Sequence, residues 1–171
     1  CNHGLALLTC AAEHGTADEP TCRIPMIIKW KGGASGVVDS AFHDNTDLCP
    51  TITELLGVGV HPGYRYDGES YATTVLTGAE QGRDHVVLTQ CAHVCQRSAR
   101  FDDYLYIRTV HGGGHLFPDE MLFNVKEDPH QLHNMMEERP DLAAKGAKII
   151  LDWVDSNMKV SIYDTDPMWT V

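Results

Sequence analysis

No stretch of the chain stays apolar for the roughly 20 residues that a membrane-spanning helix needs, so no membrane span is expected. Positive charge is also scarce. Thirteen Lys and Arg face 24 Asp and Glu, leaving a formal net charge of −11. A protein that reads nucleic acid carries a basic face, so that class of partner is excluded as the main one, while a local basic site stays open. None of the six cysteines, at 1, 10, 22, 49, 91 and 95, forms a CxxC pair, and their spacing is irregular. They are expected to be mostly reduced and buried as small hydrophobes. No basic leader precedes the start, "CNHGLALLTCAAEHG", and residue 1 is not Met. Residue 1 is therefore expected to follow a processing or cloning boundary, or a boundary in a longer chain, and the compartment is left open. There is no internal repeat and no low-complexity segment.

What is present suits a globular core. Hydrophobic residues make up 43% and charged residues 22% of 171 positions, enough for one medium domain or a piece of something larger. "RIPMIIKW", residues 23–30, is short, β-branched and stopped by "KGG". It reads as a strand buried on both faces of a parallel sheet, with Arg23 anchoring its start. "GVVDSAF" reads as a second extended piece. "TDLCPTITELLG" reads as a helix capped by Thr46 or Asp47, with Leu48, Ile52, Leu55 and Leu56 on its buried face and Gly57 at its stop. "SYATTVLTG" is a short helix ended by Gly78.

After Gly82 the texture changes. "DHVVLTQCAHV", "RSAR", "DYLYIRTV" and "MLFNV" are short strand-like runs joined by turns, the pattern of an antiparallel meander. "ERPDLAAKGAKIILDWVDSNM" reads as the last helix, with Leu142, Ile149, Ile150 and Trp153 buried and Gly146 a weak point. "HGGGHLF", residues 111–117, reads as a hairpin tip. The pattern divides the chain into an α/β part over residues 1–82, a sheet-plus-helix part over 83–160, and a tail over 161–171.

"QCAHVCQRSAR", residues 90–100, places Cys91, His93 and Cys95 at alternate positions, which share one face if the segment is a single strand. Zinc would need a second short-spaced pair, and none exists. A Cys91–Cys95 bond within one extended strand is excluded, because residues four apart lie about 13 Å apart at ~3.3 Å per residue.

The order of the motifs carries more information than any one of them. "RIPMIIKWKGG", "DLCPTITELLGV", "YDGESYATTVLTG", "YLYIRT" and "EMLFNVKEDPHQLHNM" follow one another over residues 13–155. The series resembles the carboxy-terminal part of a sulfatase of the alkaline-phosphatase-like superfamily. The resemblance implies an α/β fold, with a remnant of the main mixed sheet followed by a small antiparallel sheet packed on a helix. It implies hydrolysis of sulfate esters or sulfamates of small molecules or carbohydrates. The complete enzyme would use a formylglycine nucleophile, a calcium ion, and an amino-terminal part of the sulfatase fold as partner.

The formylglycine motif C/S-x-P/A-x-R does not occur in this sequence. "CRIPM", "CPTIT" and "CQRSA" all lack it. This chain is therefore expected to have no nucleophile and no turnover alone. The family's second metal motif is matched most nearly by Asn2 and His3 in "NHG", a partial calcium site at most, since Asn2 stands where a carboxylate is preferred. His14, in "AEHGTADEP", falls where sulfatases place a Lys or His on the sulfate group, and takes the catalytic role in this resemblance. The alternative for His14 is a loop histidine bonded to Glu13 or Asp18. Thr16 and Asp18 accompany it as substrate contacts. His93, Gln96 and Arg97 line the pocket rim in the same reading, or form a plain strand with half-buried thiols and a surface arginine. Two other functions stay open: a non-catalytic binding module derived from a sulfatase, and a phosphatase or phosphodiesterase of the same superfamily.

Overall fold

The computed structural model describes residues 15–60 and 63–170. Its elements are α1 (Glu19–Cys22), a 3-10 turn (Asn45–Asp47) running into α2 (Leu48–Leu55), α3 (Ala72–Thr77), strands β1 (His85–Cys91), β2 (Cys95–Phe101), β3 (Tyr104–His111) and β4 (Glu120–Asn124), the long α4 (Pro140–Met158), and a closing 3-10 turn (Pro167–Thr170). The described residues form two compact units, one of residues 15–24 with 87–170, the other of 25–60 with 63–86.

The first unit is built on one four-stranded sheet in the order β1-β2-β3-β4. The pairings of β2 with β3 and of β3 with β4 are antiparallel, as the strand-and-turn pattern predicts. Phe101 pairs with Tyr104 across a two-residue turn, where Asp102 takes φ 46°. The Arg100 guanidinium donates to the Phe101 and Tyr104 carbonyls at 3.3 Å and ties the turn to the end of β2. Alternation sorts the strand residues to two faces. Ala99, Phe101, Tyr106 and Leu122 pack with Ala143 and Ile150 of α4, while Leu105, Ile107, Met121, Phe123 and Val125 form a second cluster. Each of these large side chains stabilises the fold by about 1.5–3 kcal/mol on burial.

Gly146 is not the weak point of α4 that its helix propensity suggests. It is buried, and a Cβ there would overlap the Cβ and Cγ of Tyr106. Its missing side chain is what lets the helix lie close to β3. The helix's buried residues are Ala143, Gly146 and Ile150; Leu151 is exposed, and Trp153 keeps about a third of its surface in solvent.

In the second unit two glycine stops hold as expected, with Gly57 at φ 64° and Gly78 at φ 78°. The buried stripe of α2 differs from its sequence reading. Pro50 and Thr51 are its buried residues, and Leu56 is 61% exposed. Residues 23–30 differ more. They belong to no strand or helix, and Ile24 and Ile27 are 70% and 95% exposed. A buried strand needs neighbours for its backbone donors and acceptors, and no ladder partner exists for this one among the described residues. The α/β class and the small sheet packed on a helix stand as expected.

Candidate functional site

The segment 15–18 is fixed to the sheet through buried polar contacts. Thr16 Oγ1 donates to Asp18 Oδ2 at 2.6 Å, and Asp18 Oδ1 caps α1 by accepting from the Thr21 N–H at 2.8 Å. The Ala17 N–H donates to Gln96 Oε1 at 3.1 Å, and Gln96 Nε2 donates to Thr109 Oγ1 at 3.1 Å across the β2–β3 pairing. Gln96 is 1% exposed, and Thr16, Ala17 and Asp18 are buried as well. Each of these groups has exchanged water for a protein partner, so losing one partner leaves a buried orphan costing about 1–3 kcal/mol.

Thr16, Asp18 and Gln96, three residues the sequence singled out, thus meet in one place. Beside them lies a cavity of about 20 Å³, also lined by Gln131. That volume holds about one water molecule. Gln131 is buried at φ 53°, with neither amide atom hydrogen-bonded among the described residues. His93 comes close from another direction. It is exposed in the turn between β1 and β2, and its ring packs on Gly15, where a Cβ would lie 2.6 Å from His93 Cδ2. Cys22 is half-buried, and burial pushes its thiol up to about 11.

Arg97 is placed elsewhere. It follows Gln96 in β2 and so points to the opposite face. Its guanidinium donates to Asp166 Oδ2 at 2.5 Å and Oδ1 at 3.1 Å, and stands 5.2 Å from the Trp153 ring centroid. These bonds hold the Asp166 carboxyl below the usual carboxylate range. Both arms of the fork are occupied by a carboxylate, so Arg97 anchors the segment before the last 3-10 turn.

His14, Asn2 and His3 lie outside the described residues. Among the described residues no three His, Cys, Asp or Glu side chains converge as a metal site. The expectation of one strand through Cys91, His93 and Cys95 is corrected: β1 ends at Cys91, the chain turns over residues 92–94, and β2 begins at Cys95. The expectation of buried thiols is corrected too. Among the described cysteines only Cys95 is buried, while Cys49 and Cys91 are exposed.

The second unit holds a cluster that sequence reasoning missed. Asp47 is 1% exposed and accepts from the Asp44 N–H at 2.9 Å, the Glu69 N–H at 2.7 Å and Arg83 Nη2 at 2.5 Å. Arg83 Nη1 reaches Asp44 at 2.7 Å. The cluster borders a cavity of about 380 Å³ that His43 and Tyr71 also line, their rings 4.4 Å apart. Burial, and then the Asp47 charge, raise the Tyr71 phenol. The available signal was the Asp44…Asp47 spacing, which forms a capping box in the structure.

No protein-family model and no curated protein sequence matches the chain. Solved structures do. A protein from Bacteroides thetaiotaomicron assigned as a sulfatase matches at 26% identity and a TM-score of 0.51, over 71% of this chain and 27% of that one. The chain has a sulfatase-like fold. A protein solved with its substrate D-glucosamine-2-N,6-O-disulfate matches at 18% identity and a TM-score of 0.56, over 73% and 26%. The phosphonate monoester hydrolase of Agrobacterium radiobacter matches at 18% identity and a TM-score of 0.55, over 68% and 25%. The chain spans about a quarter of the length of these structures. Among the described residues, no helix is long and apolar enough to cross a membrane.

Proposed function

We propose that this sequence works as part of a sulfatase-like hydrolase that cleaves sulfate esters or sulfamates, with sulfated sugars as the substrate class. The observation that carries the reading is the buried joint in which Gln96 accepts the Ala17 N–H and donates to Thr109. It fixes the backbone that directly follows His14. In this reading His14 contacts the sulfate and protonates the leaving oxygen, and an imidazole suits that step near neutral pH. Thr16, Asp18 and Gln96 position it, His93 forms the rim, and Arg97 serves as the anchor of Asp166. The nucleophile is a formylglycine outside this sequence. Calcium would neutralise sulfate charge; Asn2 and His3, its partial ligands in this reading, lie outside the described residues, and among the described residues no three His, Cys, Asp or Glu side chains converge to hold it. No step is routed through it.

The test starts with the coding DNA 5′ of the Cys1 codon. An in-frame C/S-x-P/A-x-R motif is the expected result. Sulfate release from an aryl sulfate and from sulfated glucosamine is then measured for the purified chain and for the longest in-frame protein. His14→Ala should lower kcat of the longer protein by about 100-fold or more. Turnover by the purified chain alone, or a reading frame closed at Cys1, would sink the proposal; a closed frame would favour a non-catalytic binding module. The fold match to a phosphonate monoester hydrolase supports a second reading, on phosphorus esters. Phenylphosphonate monoesters in the same assay separate the two.

A further inference from the structure

We propose that Cys91 and Cys95 form a reversible disulfide that staples the β1–β2 hairpin, with a low-molecular-weight disulfide such as oxidised glutathione as oxidant. The inference is independent of the proposed reaction.

Two observations carry it. The two cysteines are the last residue of β1 and the first of β2, adjacent strands of the sheet joined by three residues. Strands joined by so short a turn run antiparallel, and facing residues in such a ladder have Cα atoms about 4.5–5.5 Å apart. That spacing falls inside the window a disulfide requires. Finally, both are free thiols of unequal access: Cys91 is exposed and Cys95 is buried. A reagent in solution meets Cys91 first, and the sulfur it leaves on Cys91 lies next to Cys95.

The chemistry balances in two exchanges. The Cys91 thiolate attacks one sulfur of oxidised glutathione. A Cys91–glutathione disulfide forms, and one glutathione leaves with the proton that Cys91 gave up. The Cys95 thiolate then attacks the Cys91 sulfur. The Cys91–Cys95 bond forms and the second glutathione leaves with the proton from Cys95. Two protein thiols are oxidised and one glutathione disulfide is reduced. Burial and the neighbouring Cys95 raise the Cys91 thiol above its ordinary value, so exchange should quicken as pH rises. A loop of this length gains little closure entropy from the bond, which favours ready reversal. Closing it would also fix the turn that carries His93.

Trypsin places the test in one peptide. Cleavage after Arg83 and Arg97 releases residues 84–97, which hold Cys91 and Cys95 and no other cysteine. The full chain is equilibrated with oxidised glutathione, remaining thiols are blocked with N-ethylmaleimide, and the digest is weighed. The expected result is that more than half of this peptide lacks two hydrogens and carries no maleimide, and that dithiothreitol restores two blockable thiols. Cys91→Ser should abolish the closed form and leave Cys95 blockable. Because the measurement is made on the unsubstituted chain, it stands even if the variant folds poorly. A peptide that stays a dithiol, holds glutathione without closing, or is cross-linked to another peptide would overturn the proposal.

Discussion

Gly146→Ala separates two physical arguments that differ in sign. In an exposed helix the substitution would stabilise by up to about 1 kcal/mol, since glycine loses the most backbone entropy. Here the added Cβ would lie 2.6 Å from Tyr106 Cγ and 3.1 Å from its Cδ1, and would overlap its Cβ. Carbon atoms prefer about 3.5–4.0 Å. The contacted atoms are the root of a side chain that is 1% exposed, not a flexible tip. Tyr106 lies mid-strand, paired to Ala99 on one side and Leu122 on the other, and its hydroxyl donates to Glu120 at 2.8 Å. It has little room to yield, so α4 must shift. Overpacking of this kind costs about 1–3 kcal/mol. With the propensity gain subtracted, the expected net loss is about 1 kcal/mol. For a chain of this size that lowers Tm by roughly 2–4 °C. Thermal unfolding followed by circular dichroism measures it directly. A Tm raised by a similar amount would show that propensity wins and that the close approach of α4 to β3 is misjudged.

Asp166→Asn should remove the counter-charge of the buried Arg97 and destabilise by about 3 kcal/mol at pH 7. Because the folded-state pKa of Asp166 is depressed, chiefly by the Arg97 hydrogen bonds, the pair's contribution is present above the unfolded carboxylate value of about 3.9 and lost as pH falls through the folded one. The Tm gap between variant and parent should therefore narrow below about pH 4; a gap constant down to pH 2 would refute it. Asp47→Ala removes the partner of Arg83 Nη2, leaving Arg83 its bond to Asp44, and orphans the Asp44 and Glu69 N–H groups, for a loss of about 3 kcal/mol. Hydrogen exchange should accelerate at those two amides, and unchanged protection there would contradict the assignment.

The parts legible in the sequence were those decided locally. Turn residues and short β-rich runs place the four strands, and Gly57 and Gly78 stop their helices because only a residue tolerant of positive φ closes a helix that way cheaply. The parts not legible depend on neighbours far along the chain. Residues 23–30 have the composition of a buried strand, yet burial belongs to the pairing and not to the run. In "CAHVC" the alternation fits either one strand or two strands and a turn, and no Gly, Pro, Asn or Asp marks the bend. Gly146 looked weak because propensity sees only the helix, while its partner Tyr106 sits in another element. Arg97 was read as a free cation because Asp166 lies in a tail without pattern.

The site residues fall into the same two classes, and strand geometry explains the split. Gln96 and Arg97 are adjacent in sequence and both are buried, yet the pleat sends them to opposite faces of β2. Gln96 holds the loop that follows His14, and Arg97 holds the segment before the final 3-10 turn. One rigid strand, paired to β3 along its length, therefore fixes two peripheral segments at once. A catalytic group carried on a loop gains precision only when the loop's own backbone is bound to such an element. The buried polar residues here meet that requirement with no side chain of their own turned to solvent. Their contribution to the proposed reaction is position, and the chemistry is left to His14 and to groups outside this sequence.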